Sequence, residues 1–361
     1  MNTVDQKFTF HVVSLPHTQT TVAYNHCAYT QKVRKFCNMM TDLGHKVILY
    51  ASEDNESRVT ELVTVITKEK QREIFGDYDH TKQFFNITWG SHDPGWVEMN
   101  ANAIRAIGAR IQPRDFVCLI GGTPQEIIAK AFPDNMGVEY GIGYLGTFSQ
   151  YRVFESYAHM HYIHGQERND NGSFYDTVIP NYYDIDEFPF AEKRDDYFLF
   201  IGRLVDRKGW RIAQEVCEKL GKRLIVAGQG DFSGYGEHVG VIGVEERGKL
   251  MSKAQAVFVP TTYLEPFGGV HAEAQLCGTP VITTNFGVFT ETVTNGVNGY
   301  RCDNFRDFIA ATKAVEKFSN SKRKKIRETA QARFSTDHVM NEYQAYFSRL
   351  YDLWGDGWYA E

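Results

Sequence analysis

Residues 197–210 read Tyr-Phe-Leu-Phe-Ile-Gly-Arg-Leu-Val-Asp-Arg-Lys-Gly-Trp. Five apolar or aromatic residues in succession suit a strand buried on both faces, as in a parallel sheet covered by helices. Gly202 ends the run, and a residue without a Cβ at that edge lets a ligand approach the backbone. Arg203 and Lys208 follow on the connecting loop. Two cations at a strand-to-helix junction of an acidic chain can converge on one polyanion. Trp210 then opens a helix-length segment, 210–220. The stretch is one βα unit with a phosphate-binding character.

The unit recurs along the chain. Downstream, predicted strands at 223–228, 256–260 and 280–283 alternate with helices near 245–252 and 269–277. Upstream, strands at 8–15, 46–51, 116–121, 137–143 and 161–164 alternate with helices at 31–43, 100–111 and 124–132. Such alternation predicts α/β architecture with parallel sheets, here two doubly wound domains. A length of 361 residues supports two cores. The stretch 179–190, which carries Pro180 and Pro189, breaks the periodicity and is the predicted hinge. The expected division is 1–185, 190–334 and a helical, aromatic tail at 335–361 that has no following strand and packs back on the first domain.

Composition narrows the class of protein. A hydrophobic share of 42% and a charged share of 23% are ordinary for a globular chain. No run reaches the roughly 18 apolar residues of a membrane span, so no transmembrane segment is expected. The amino end, Met1 to Lys7, is polar and lacks an apolar signal region, which points to a cytoplasmic location. Six cysteines, at 27, 37, 118, 217, 277 and 302, show no CxxC pairing and are expected to be reduced. A net charge of −6 argues against a general nucleic-acid binder. The basic run Lys322-Arg323-Lys324-Lys325 reads as a solvated helix face, with a peripheral contact to an anionic membrane as the functional alternative.

A second chemical signal follows the strand at 256–260: Tyr263-Leu264-Glu265-Pro266-Phe267-Gly268-Gly269-Val270-His271-Ala272-Glu273. Pro266 can begin a helix, because its missing N–H would be unpaired there. Gly268 and Gly269 leave the next amides uncovered. With the positive end of the helix dipole they make a site for anions and hydroxyls. Glu273 lies one to two turns along, where a carboxylate can accept both hydroxyls of a ribose, and Glu265 stands before the turn, within reach of a sugar.

Together these residues resemble the donor site of glycosyltransferase family 4, a group of retaining enzymes with the GT-B fold. The resemblance rests on Gly202-Arg203 and Lys208-Gly209, and on Glu265 and Glu273 with seven residues between them. It extends through Gly278-Thr279-Pro280-Val281-Ile282, Gly287-Val288-Phe289-Thr290-Glu291-Thr292-Val293 and Gly296-Val297-Asn298-Gly299-Tyr300. The close match covers 197–301. It implies two Rossmann-like domains facing a central cleft. It further implies that Arg203 and Lys208 hold the donor diphosphate and act in catalysis, and that Glu273 holds the ribose. Glu265, counted with Arg203 and Lys208 among the catalytic residues, would hold the transferred sugar with the amides of Phe267, Gly268 and Gly269. Gly202 and Val270 complete the donor contacts, and the loop at Val241 and Ile242 lies beside the base. The implied donor is a UDP- or GDP-sugar, and the acceptor is a glycan, lipid, protein or modified nucleic acid. No Asp-x-Asp occurs in either donor motif, so neither a metal nor a cofactor is expected.

The first domain departs from that pattern. Where many members carry paired glycines after the first strand, this chain has Leu15-Pro16-His17-Thr18-Gln19-Thr20-Thr21, which leaves His17 as a candidate for phosphate or sugar. The segment 151–157 places Arg152, Glu155 and aromatics in the domain expected to face the acceptor, although core packing explains Phe154 and Tyr157 equally well. Asp93-Pro94-Gly95-Trp96 reads either as a helix start or as a turn presenting an indole to a sugar. Among rival readings, a sugar-nucleotide epimerase shares the fold, and a phosphorylase would need a cofactor lysine and a longer chain. A dehydrogenase is disfavoured because Gly228-Gln229-Gly230 has no third glycine and Asp231 comes too early. Outside enzymes, the alternative is a non-catalytic nucleotide-sugar or glycan-binding module.

Overall fold

The computed structural model describes residues 6–25, 27–79 and 87–353. The chain divides into two compact units, one made of 1–154, 166–179 and 340–361, the other of 155–165 and 180–339.

Unit 1 runs β1 (Thr9–Val13), α1 (Ala28–Asp42), β2 (Lys46–Ala51), β3 (Glu61–Thr64), α2 (Lys68–Phe75), α3 (Pro94–Gly108), β4 (Phe116–Leu119), α4 (Glu126–Ala131), β5 (Met136–Ile142), β6 (Tyr151–Phe154) and β7 (Thr177–Val178); between β6 and β7 the chain forms α5 (Tyr157–Glu167), most of which belongs to unit 2. Its seven strands are parallel, in the order β3-β2-β1-β4-β5-β6-β7. The central strands are buried on both faces and mostly apolar, as a place between two helix layers demands, with His11 of β1 hydrogen-bonded to Tyr50 and Asp115. Two expectations fail here, whereas the helix-start reading of 93–96 holds, α3 beginning at Pro94 behind Asp93. The segment 161–164 is helical, inside α5, because its buried residues His159 and Ile163 fall four apart and Ser156 Oγ accepts the His159 N–H at 3.1 Å. Trp96 presents no indole to solvent: it is fully buried on α3 and donates to the Thr88 carbonyl at 3.1 Å. Arg152 is no available base, since its buried guanidinium is held by Glu167 at 2.9 Å and Asp176 at 2.8 Å.

Unit 2 runs β8 (Phe198–Ile201), α6 (Trp210–Leu220), β9 (Leu224–Ala227), β10 (Glu237–Gly240), α7 (Val244–Lys253), β11 (Val257–Val259), α8 (Gly269–Leu276), β12 (Val281–Thr284), α9 (Phe289–Thr292), β13 (Gly299–Cys302), α10 (Phe305–Val315) and α11 (Asn320–Phe334). The six strands are parallel, ordered β10-β9-β8-β11-β12-β13. Alternate residues of β8 face opposite cores. Leu199 packs with Val257, Phe267 and Phe334, whereas Phe198 and Phe200 pack with Trp210, Phe258 and Phe308. The basic run lies on α11, but it is not a wholly solvated face. Arg323 is fully buried and donates to the carbonyls of Gly278, Ala191 and Ser252 at 3.2, 2.7 and 2.8 Å. Among the described residues no helix is long and apolar enough to cross a membrane.

The last described element is α12 (Thr336–Leu353), whose larger part belongs to unit 1. Phe347 packs on Phe10 and Phe116 with ring centroids 4.6 and 5.0 Å apart. The remainder of the expected tail, 354–361, lies outside the described residues. His45, buried before β2, ties this helix to the sheet. One ring nitrogen meets Gln344 Oε1 at 2.7 Å and the other accepts the Phe8 N–H at 3.2 Å, which places the proton on Nε2. Burial pushes its pKa down to about 4, with Lys7 adding to the fall and the Gln344 bond opposing it. The unfolded chain therefore takes up a proton near pH 6.5 that the fold refuses. This contribution is intact above about pH 6.5 and falls by up to about 1.4 kcal/mol per unit as pH drops towards 4. Thermal unfolding of the wild type and His45→Gln at pH 7 and pH 5 should show a smaller acid-induced drop in Tm for the variant; equal drops would contradict the assignment. Glu139, raised to about 7 mainly by burial, acts with the opposite sign and is common to both chains.

Candidate functional site

In unit 2 the strand order turns at the β8–β11 pair: the chain winds outward through β9 and β10, then returns to β11 on the other side of β8. Loops leaving the carboxyl ends of two such strands diverge and open a crevice, the usual ligand position in a doubly wound sheet. Both sequence signals lie there, one after β8 and one after β11.

The loop after β8 contains a short turn, Asp206–Lys208, ended by Gly209 in the left-handed region at φ +70°. A Cβ on Gly209 would stand 2.0 Å from the Pro260 carbonyl oxygen, so only glycine lets this loop touch the end of β11. The Thr262 N–H donates to the Arg207 carbonyl at 2.9 Å and joins the two loops. The Lys208 ammonium then pairs with the buried Glu265 carboxylate, which also accepts the Thr261 hydroxyl at 3.3 Å. Tyr263 lies between the charges, its ring centroid 4.9 Å from the Arg207 guanidinium and 5.1 Å from the Lys208 ammonium. Burial and the Glu265 carboxylate raise the Tyr263 hydroxyl well above its usual range, while Arg207 and Arg203 pull the other way. Thus Arg203, Arg207 and Lys208 all act on one small region.

α8 begins after Gly268, which adopts φ +73°, and its first amides have no intrahelical partner. Phe267 anchors the turn in the core. Glu273, buried on α8, pairs with Arg247 of α7 at 2.9 Å. Tyr183 reaches the same place from the segment of unit 2 that precedes β8: a Cβ on Gly269 would be 2.7 Å from its hydroxyl. Burial first, and then Glu273, push the Tyr183 pKa up. The start of α5 docks on the turn as well. Ser156 Oγ donates to the Pro266 carbonyl at 2.6 Å, and Glu291 caps the helix by accepting the N–H groups of Tyr157 and Ala158 at 3.0 and 2.6 Å.

The structure thus brings Gly202, Arg203, Lys208, Glu265, Phe267, Gly268, Gly269, Val270 and Glu273 to the β8–β11 edge. Val241 and Ile242 follow β10, the edge strand two places from β8, and Val241 is exposed. His17 follows β1 in unit 1, where it is buried. The sequence reading missed Arg247 and Tyr183. Arg247 looks like part of a charged surface helix, and Tyr183 lies in a segment read only as a hinge; neither pairing has a local signal.

Residues 184–333 match the family model for glycosyl transferases group 1. A glycogen synthase of Mycobacterium tuberculosis is 32% identical over 35% of this chain and 36% of its own length. An uncharacterized glycosyltransferase of Methanocaldococcus jannaschii is 33% identical over 28% of this chain and 30% of its own length. The chain therefore spans about a third of the curated relatives it matches. Similarity to solved structures extends further. Sucrose-phosphate synthase of Thermosynechococcus elongatus gives a TM-score of 0.68 at 15% identity over 96% of this chain and 100% of its own. The Anabaena protein HepE, solved with UDP, gives 0.67 at 15% identity over 95% and 100%. At such identities the likeness shows the fold alone: two Rossmann-like units of the GT-B class.

Proposed function

We propose that this chain, which carries a glycosyl transferases group 1 segment on a GT-B fold, is a retaining glycosyltransferase that takes its sugar from a nucleoside diphosphate donor held by unit 2. The observation that carries the reading is the convergence of Arg203 and Lys208 with two buried carboxylates, Glu265 and Glu273, at the β8–β11 edge. A diphosphate leaving group gains negative charge as the sugar becomes cation-like. Fixed cations beside it stabilise that charge with little reorganisation. Lys208 is already in place, pre-aligned by Glu265. In the proposed complex Glu265 faces the sugar, Glu273 takes the ribose hydroxyls, and the amides after Gly268 face developing charge. That HepE was solved with UDP and with UDP-glucose supports a donor of this class, UDP- or GDP-linked.

The clamp implies that no metal is needed, since protein cations do the neutralising. Activity should therefore persist in EDTA, and activity abolished by chelation and restored by Mn²⁺ or Mg²⁺ would overturn this part of the reading. The donor itself is identified by a thermal-shift screen of nucleotide sugars. A donor present at about 100 times its Kd adds about 2.7 kcal/mol and raises Tm. No shift with any nucleotide sugar would refute the donor site, and a shift without turnover on any acceptor would favour the non-catalytic binding module.

A further inference from the structure

We infer that His271 is a positioning residue that fixes the peptide between Gly268 and Gly269, and so aims the Gly269 N–H at the donor sugar; the inference rests on the donor-site reading above. Two consecutive glycines make a peptide that can flip at small cost, because neither residue has a Cβ to forbid the alternative. A flexible peptide is a poor electrostatic device, since its dipole must be held in advance. In this chain the Gly268 carbonyl is held twice from the same residue. His271 Nδ1 lies 2.6 Å from it, and the His271 backbone N–H reaches it at 3.1 Å. A trans peptide is planar, with its C=O and N–H pointing in opposite directions. Turning the Gly268 carbonyl towards His271 therefore turns the Gly269 N–H away from it. That N–H belongs to the first residue of α8 and has no intrahelical acceptor.

The state of the ring follows from its surroundings. The carbonyl can only accept, so Nδ1 carries the proton and Nε2 keeps a lone pair. Nε2 is buried with no hydrogen-bond partner among the described residues. The ring is fully buried among Phe267, Phe289 and Phe334, with centroids at 5.1, 5.6 and 6.1 Å. Burial pushes its pKa down to about 4, opposed by the bond to Gly268 and reinforced by Arg333, so the ring is neutral at ordinary pH. An apolar side chain would fill this aromatic pocket without stranding a polar nitrogen. Packing alone does not account for an imidazole here, whereas the bond from Nδ1 does.

Two substitutions separate bond from volume. His271→Leu keeps most of the volume and loses the bond; His271→Asn loses volume and retains an amide N–H for the Gly268 carbonyl. The full chain is compared with both for Tm, for binding of free nucleoside diphosphate, and for kcat and KM with the nucleotide sugar found by the screen. The Leu variant should keep or raise Tm and bind free nucleoside diphosphate within twofold of wild type, with kcat lowered about tenfold; the Asn variant should recover at least a third of wild-type kcat despite a lower Tm. Wild-type kcat in the Leu variant, or an Asn variant as slow as the Leu variant, would overturn the inference while leaving the donor reading standing. If the Leu variant does not fold, His271→Ala against His271→Asn compares two truncated side chains without and with the amide N–H, and equal kcat in that pair also overturns it. Failure of the unaltered chain to bind any nucleotide sugar would instead sink the donor reading, and this inference with it.

Discussion

Replacing Arg203 and Lys208 together with alanine should lower donor turnover by about 10²- to 10³-fold while the chain remains folded, the scale expected when preorganised groups facing a developing charge are removed. Neither side chain belongs to the hydrophobic cores of unit 2. Lys208 is also the counter-ion of a buried carboxylate, so its loss acts twice: the diphosphate loses a cation, and Glu265 loses the partner that aligns it. Lys208→Ala alone should therefore cost more than Arg203→Ala alone. The two losses should not sum, because both residues serve one leaving group. Circular dichroism and Tm establish folding, and initial rates with the screened donor establish turnover. Near-normal rates in the double variant would end the proposal that these cations carry the leaving-group charge.

The two glutamates should separate by ligand. Glu265 stands before the Gly268–Gly269 turn and pairs with Lys208; Glu273 lies within α8 and pairs with Arg247. Glu265→Gln should weaken binding of the intact donor and slow turnover by about tenfold or more, with a smaller effect on free nucleoside diphosphate. Glu273→Ala should weaken both ligands, by about 1.5 to 3 kcal/mol for a lost charge-assisted contact. Titration of each variant with nucleotide alone and with intact donor makes the comparison, and equal losses for both ligands in both variants would refute the division of roles. The same experiment bears on mechanism. If Glu265 orients the sugar and forms no bond to it, no covalent glycosyl adduct accumulates on the protein, and mass spectrometry of the working enzyme should find none.

How much of this was readable from the chain depends on where each residue finds its neighbours. Strands β8 and β11 lie in the sheet interior with helices on both sides, so burial forces contiguous apolar runs, and 197–201 and 256–259 announce themselves. The edge strands do not. β3 (Glu-Leu-Val-Thr) and β10 (Glu-His-Val-Gly) are short and polar and exist through pairing to one neighbour. The run at 161–164 carried strand-like residues, but the buried pair His159 and Ile163 has helical spacing, and a local cap from Ser156 with a distant one from Glu291 starts the helix. The donor loops were legible because their chemistry is local: a glycine, a cation or a carboxylate at fixed offsets from a strand end. Arg247 and Tyr183 were not, because each reaches the site from a segment whose own pattern says surface helix or hinge. Trp96 and Arg152 show the converse. Residue types suited to sugar binding are spent here on packing and on a buried ion pair.

The central claim, retaining transfer from a nucleoside diphosphate sugar without a metal, is tested most directly by proton NMR of an anomerically pure α-linked donor consumed by the chain in EDTA. Nucleoside diphosphate should be released and the first-formed product should carry a new α linkage; a β-linked first product, or no consumption of the donor until a divalent metal is supplied, would rule out metal-free retention.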